Sequence, residues 1–225
     1  MVKQDLIDHS PVRFFDNAAD GGLKDGQLGL ITAKKGLGKT SVLVQFGIDA
    51  LIHDKQLVHV SFDQHSSNVI SWYDNVLAEI AKKKNLGDVT ELNNSIVRDR
   101  TILNFNQETF SLPKVINTIK ALKDGGITVS ALVIDGADLE KISAADMKAV
   151  EDFVKAEKIT AWFSGTNEEA KLADTLPKEL QPFFATVGHL ASNGSNVALT
   201  VLKANGKEVE PVSVKLDSKT MLMSK

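Results

Sequence analysis

The sequence predicts an α/β fold with a mainly parallel central sheet flanked by helices and an antiparallel hairpin at its C-terminal end. Three observations predict it. An apolar run over 28–32 leads into Ala33-Lys34-Lys35-Gly36-Leu37-Gly38-Lys39-Thr40 and then into a helical pattern over 41–52. Further apolar runs of strand length alternate with segments of helical spacing as far as about residue 165, the pattern of parallel strands joined by crossover helices. Beyond that point two strand-like runs flank Asn205-Gly206, a favoured two-residue hairpin turn.

In chain order, residues 1–27 read as a loop-rich lead-in, with Gly21-Gly22 and Asp25-Gly26 marking turns. The first strand spans 28–33, and the helix after it is apolar on every side, as a helix buried on more than one side requires. A second strand covers 57–62 and ends at Asp63. Ser66 or Ser67 is placed to cap the next helix, whose apolar positions run from Val69 to Ile80 and whose stop is Gly87. Residues 88–100 are polar and carry no clear period. A short strand over 101–105 and a helix ended by Gly125-Gly126 follow. The run over 129–135 is almost continuously apolar, as in a strand covered on both faces. Ser143 caps another helix, and a strand over 159–164 follows it. A short helical segment near 177–184 then precedes strands at 185–190, 196–203 and 208–216. No linker interrupts this order. The expectation is a single domain over 1–225, with a lead-in (1–27), a nucleotide-binding core (28–165) and C-terminal strands with the hairpin (166–225).

Composition narrows the function classes. With 43% hydrophobic and 24% charged residues the chain is an ordinary globular sequence. A net charge of −3 offers no bulk attraction to nucleic acid or to an anionic membrane. The absence of cysteine excludes disulfides, thiolate metal sites and cysteine nucleophiles. Residues 1–16 are too polar for a signal peptide and no apolar run reaches membrane-spanning length, so the expected location is cytoplasmic.

The chemistry concentrates at the loop between the first strand and its helix. A glycine-containing loop that opens a helix with Gly-Lys-Thr directs backbone N–H groups and the positive end of the helix dipole at an anion. This is the context of a phosphate-binding P-loop, with Lys35, Gly36, Leu37, Gly38, Lys39, Thr40 and Ser41 as its binding residues. Lys39 would reach the β- and γ-phosphates of ATP, and the Thr40 hydroxyl would ligate Mg²⁺. Asp135 closes an apolar strand downstream, the Walker B position that holds the same metal. Asp63 ends the second strand at the sheet edge where α/β proteins place ligands, and is a candidate to orient and deprotonate an attacking water. Ser164, Thr166 and Asn167 end the strand after Asp135, where a polar group can sense the γ-phosphate or terminate the strand. The five histidines form no recognisable metal-ligand spacing and read as structural or exposed.

With these residues in view, the chain resembles the RecA-like P-loop ATPases, particularly the KaiC-type proteins and the ATPase domain of DnaB-type replicative helicases. Gly21-Gly22-Leu23-Lys24-Asp25-Gly26-Gln27-Leu28 resembles their Gly-Gly-Leu lead-in, and Ala33 in first place of the loop is similar to the helicase form. Val60-Ser61-Phe62-Asp63 resembles their strand-two ending, where a catalytic glutamate is usual. Val201-Leu202-Lys203-Ala204-Asn205 resembles a late Lys-x-Arg element whose basic residues reach a neighbour's ATP across a ring interface. The resemblance implies a Mg²⁺-dependent ATPase acting in a homo-oligomer or with a regulatory protein partner, with Lys39, Asp63 and Lys203 as catalytic residues. Asp63 for glutamate and Asn205 for arginine imply slow hydrolysis, or a nucleotide-binding regulatory module without turnover. The slightly acidic loop over 167–178 argues against a DNA grip. ParA/MinD-type partitioning ATPases are the alternative family. In those, the P-loop and Walker B strands are direct neighbours, whereas a RecA-like sheet carries an extra strand between them.

Overall fold

The computed structural model describes residues 2–87, 89–109, 111–194 and 196–224. Two short helices open it, α1 (Val2–Asp8) and α2 (Val12–Ala18). Then follow β1 (Leu28–Ala33), α3 (Lys39–Ile52), β2 (Leu57–Ser61), α4 (Ser66–Lys83), α5 (Thr90–Arg98) and β3 (Arg100–Asn104). The chain continues through α6 (Leu112–Asp124), β4 (Ala131–Ala137), α7 (Ala144–Glu157), β5 (Thr160–Thr166) and the single turn α8 (Leu172–Thr175). It ends in β6 (Phe184–Asn193), β7 (Asn196–Ala204), β8 (Lys207–Leu216) and the two-residue β9 (Met223–Ser224).

These strands make one nine-stranded sheet in the order β3-β2-β4-β5-β1-β6-β7-β8-β9. The strands from β3 to β6 pair in parallel, and β7, β8 and β9 add antiparallel. β5 lies between β1 and β4, so the P-loop strand and the Asp135 strand are not neighbours. The sheet is therefore RecA-like, and the partitioning-ATPase arrangement is excluded. At the β7–β8 turn, Asn205 and Gly206 both take positive φ (48° and 79°), as the tight hairpin requires.

Strand alternation divides the core between the two faces. Ile31 and Ala33 of β1, Ala131 and Val133 of β4, and Trp162 of β5 face α3 and α4. Leu30, Leu132, Ile134 and Phe163 face α6 and α7. By the same parity Asp135, two residues beyond Val133, and Ser164, two beyond Trp162, come out on the α3 side. α3 buries most of its circumference because α1, α2 and α4 pack on it as well as the sheet.

Several local expectations are corrected. The lead-in is helical rather than loop-rich: Leu6, Val12, Phe15 and Ala19 are buried, and Phe15 meets Phe46 and Trp162 edge-on at 5.1 and 5.6 Å. Seven-residue helices are held by such packing, because nucleation makes them unstable alone. The polar stretch near 88–100 includes α5, whose one fully buried side chain is Ile96; Asp88 lies outside the described residues. The cap of α4 is His65, whose ring accepts from the Ser67 amide, and the helix ends at Lys83, with Asn85 turning the chain at φ 51° ahead of Gly87. Near 177–184 there is only a 3₁₀ turn over Gln181–Phe183, with α8 before it. Among the described residues no helix is long and apolar enough to cross a membrane.

Candidate nucleotide site

The ends of β1, β2, β4 and β5 meet at one edge of the sheet, and there a cavity of about 750 Å³ opens. That size accommodates a nucleotide. Lys35 to Thr40 line one side of it, Asp63, Gln64 and Trp72 another, and Asp135 to Glu140 with Gln107 and Thr166 the floor and far wall. Val197 of β7 and Met221, from the segment between β8 and β9, close the last side.

The loop backbone makes the cradle. Gly38 caps α3 with φ 97°, a left-handed conformation that side chains resist, and a Cβ there would run into the Met221 methyl. Met221 is held in place by Gln45, 1% exposed, whose amide donates to the Met221 carbonyl and accepts from the Met223 amide, each at 2.9 Å. Lys39 spreads its ammonium across the loop, donating to the carbonyls of Ala33 (3.2 Å) and Lys34 (3.4 Å) and to Thr166 Oγ1 (3.2 Å). Burial pulls the Lys39 pKa down, while the Asp135 and Asp63 charges oppose that pull. Lys39 is thus a desolvated cation held between the ends of β1 and β5.

Asp135 sits beside it, 3% exposed. Its Oδ2 accepts from Thr40 Oγ1 at 2.7 Å and its Oδ1 from Ser164 Oγ at 2.6 Å. A bulge between β4 and β5 falls on this point, between Ile134 and Ala137. The Gly136 amide released from the ladder donates to Ser164 Oγ at 2.9 Å. Gly136 has φ 78°, and a Cβ on it would meet the Asp63 carboxyl at 2.6 Å, so only glycine lets Asp63 approach. Burial first, and the Asp135 charge second, push the Asp63 pKa up, against Lys39 and Lys35. Gln107 reaches in from the segment after β3, donating to the Gly136 carbonyl at 3.0 Å and lying 3.5 Å from Asp63 Oδ1.

Among the described residues no group of three His, Cys, Asp or Glu could by itself hold a metal ion. A hydroxyl and a carboxylate in direct contact are, however, an all-oxygen pair of the kind that suits a hard cation completed by phosphate oxygens and water. Thr40 and Asp135 fit that role.

The other anticipated residues divide. Lys35, Gly36 and Leu37 line the cavity, whereas Ser41 is fully buried and does not. Thr166 touches Lys39, Ser164 serves Asp135, and Asn167 is spent on a turn, donating to the Asp174 carbonyl and accepting from the Glu169 amide. Lys203 is 8% exposed, and its ammonium donates to the Gln181 carbonyl at 2.8 Å, outside the cavity. Asn205 donates to the Asp20 carbonyl and carboxylate, tying the hairpin to the lead-in. Of the histidines, His59 and His189 are buried. Sequence reasoning missed Gln64, Trp72, Gln107 and Met221. Gln64, directly after Asp63, carried a positional signal; the other three come from segments with no motif of their own.

Comparison with known families agrees with this geometry. Residues 9–161 match the family model described as "ATPase: KaiC", which covers more than half of the chain and contains β1, the glycine loop, Asp63 and Asp135. A search of curated proteins gives no match. With the loop, the β5 insertion and the Thr40–Asp135 contact in place, the chain belongs to the KaiC ATPase family, a family of RecA-like P-loop ATPases.

Proposed function

We propose that this chain binds ATP with Mg²⁺ in the cavity between the glycine loop and Asp135, and hydrolyses it slowly within a homo-oligomer. The observation that carries the proposal is the contact between Thr40 and Asp135 beside the desolvated Lys39. In this reading the amides of Gly36 to Thr40 and the positive end of α3 hold the phosphates. Lys39 exchanges its three oxygen partners in the protein for phosphate oxygens, which suits a cation already stripped of much of its water. Thr40 and Asp135 would hold Mg²⁺, which neutralises charge developing on the phosphates. Asp63 orients a water and takes its proton; its raised pKa strengthens it as a base. Gly136 and Gln107 keep that carboxylate at the cavity wall.

Two features support slow turnover. Asp63 is one methylene shorter than the usual glutamate, and Asn205 is spent on Asp20 where an arginine would reach a neighbouring site. Lys203 enters this reading only through a second copy, since within one chain it serves Gln181. The same two features favour a second reading, a nucleotide-binding regulatory module without turnover. Phosphate release with Mg-ATP by the wild type and by Lys39→Ala decides between them. Slow release that Lys39→Ala abolishes is expected; a wild-type rate equal to the variant's, with ATP still bound, selects the regulatory module. Sizing with and without Mg-ATP tests the oligomer, for which a larger species with nucleotide is expected.

A further inference from the structure

Gln64 lies between two cavities. It lines the nucleotide cavity, and it also lines a surface groove of about 310 Å³ whose other walls are Asn68, Ser71, Trp72 and Asn75 of α4. Its amide spans the gap between Trp72 and Thr40, with Trp72 Nε1 at 3.2 Å from Oε1 and Nε2 at 2.9 Å from Thr40 Oγ1.

The direction of these bonds follows from chemistry. An indole N–H only donates, so the oxygen of Gln64 must face Trp72 and its NH₂ must face Thr40. Thr40 therefore accepts from Gln64. Its single hydroxyl hydrogen goes to Asp135 Oδ2, because a carboxylate only accepts. On the other side the Gly136 amide donates to Ser164, and Ser164 donates to Asp135 Oδ1. Two hydrogen-bonded chains thus converge on one carboxylate. The first starts at Trp72, on the surface of α4. A hydroxyl oxygen carries two lone pairs. Gln64 occupies one of those on Thr40 and leaves one for a cation.

We propose that Gln64 is a positioning residue of the cation site, anchored by Trp72, and that the Trp72–Gln64 link carries occupancy of Thr40 to the α4 groove. The inference rests on the Mg-nucleotide reading above. A cation drawing on the Thr40 oxygen weakens the bond that Gln64 makes to the same oxygen. That change passes through the amide to the indole N–H. Asp135 holds the Thr40 hydroxyl hydrogen, and without Gln64 the second lone pair of that oxygen is no longer filled, so the direction left open to a cation is no longer set.

The test uses the full chain labelled with ¹⁵N and the two-dimensional NMR signal of the Trp72 indole N–H, assigned with Trp72→Phe, the only other indole being that of Trp162. ADP is added once with EDTA and once with Mg²⁺, and the Kd is measured in both conditions. The wild-type Trp72 signal is expected to move with Mg-ADP and to stay still with ADP in EDTA. In Gln64→Leu the Mg²⁺-dependent shift is lost, and the factor by which Mg²⁺ tightens ADP binding falls roughly three- to tenfold, the share of one hydrogen bond. The factor is a ratio taken within each protein, so a loss of ADP affinity common to both conditions cancels, whereas a merely structural role would weaken ADP equally with and without Mg²⁺ and leave the factor unchanged. Trp72→Phe, which keeps an aromatic ring where Trp72 packs against the core and removes the N–H donor, lowers the same factor in the same direction. A Trp72 signal unmoved by Mg-ADP while ADP binds, or a Mg²⁺ factor unchanged in both variants, overturns this inference alone. Absence of ADP binding by the wild type overturns it together with the nucleotide reading.

Discussion

Replacing His59 with glutamine tests the electrostatics beneath the site. His59 sits on β2, fully buried, with Nδ1 3.0 Å from the Tyr73 hydroxyl and Nε2 without a partner among the described residues. Burial drives its pKa down from 6.5 to about 4, with Arg100 adding to the fall and Asp135 opposing it. The folded protein therefore keeps this imidazole neutral between pH 6.5 and about 4, while the unfolded chain takes up a proton. A group with a depressed folded pKa gives stability that is present above the unfolded pKa and lost as the pH falls toward the folded one. At about 1.4 kcal/mol per pH unit, lowering the pH from 7.5 to 4.5 removes about 3 kcal/mol through this one residue. His59→Gln keeps an acceptor for Tyr73 and removes the titration. Urea unfolding of both proteins at the two pH values gives the loss as a difference of differences, in which titrating groups remote from His59 cancel. The variant is expected to lose about 3 kcal/mol less than the wild type on acidification. Equal losses would refute the claim that burial holds His59 neutral.

Asp16 acts with the opposite sign. Burial, against the pull of Arg13, raises its pKa to about 6, so its contribution is present below pH 4 and is lost as the pH rises through 6. Asp16→Asn should remove a stability decrease of about 2–3 kcal/mol between pH 4 and 7, read by the same unfolding series. Gly136→Ala puts a Cβ into the Asp63 carboxyl and strains a φ of 78°. A destabilisation of about 1–3 kcal/mol and a fall in phosphate release with ADP binding retained are expected from thermal melts, release assays and titrations. Gln45→Leu leaves the Met221 carbonyl and Met223 amide unpaired, and should cost about 2–3 kcal/mol and speed hydrogen exchange at 221–224.

Much of this architecture was legible because its causes are local. The strands over 28–33, 57–61 and 131–137 are apolar because both faces of a central strand are covered, and a run of four or five apolar residues shows that without knowledge of the neighbours. The glycine loop is legible for the same reason. Its φ values, its amides and the start of α3 are properties of eight consecutive residues. The lead-in helices were not legible. Seven residues carry too few turns to show a period, and what holds α2 is Phe15 against Phe46 and Trp162, residues far along the chain. Nor does Lys203 reveal in sequence that its ammonium is spent on Gln181.

The sequence by itself therefore determined the α/β class, the phosphate-binding loop with Lys39 and Thr40, the Asp135 strand, and the Asn205-Gly206 turn, all set by hydrophobic period and backbone conformation over short spans. Tertiary structure alone decided that β5 separates β1 from β4, which places the fold among RecA-like sheets. It also decided that Ser164 and Thr40 converge on Asp135, that Gly136 admits Asp63, and that Trp72 fixes the polarity of Gln64. Those arrangements depend on strand order, register and a bulge. All three are settled by which surfaces bury each other across the whole chain, and no local run of residues encodes them.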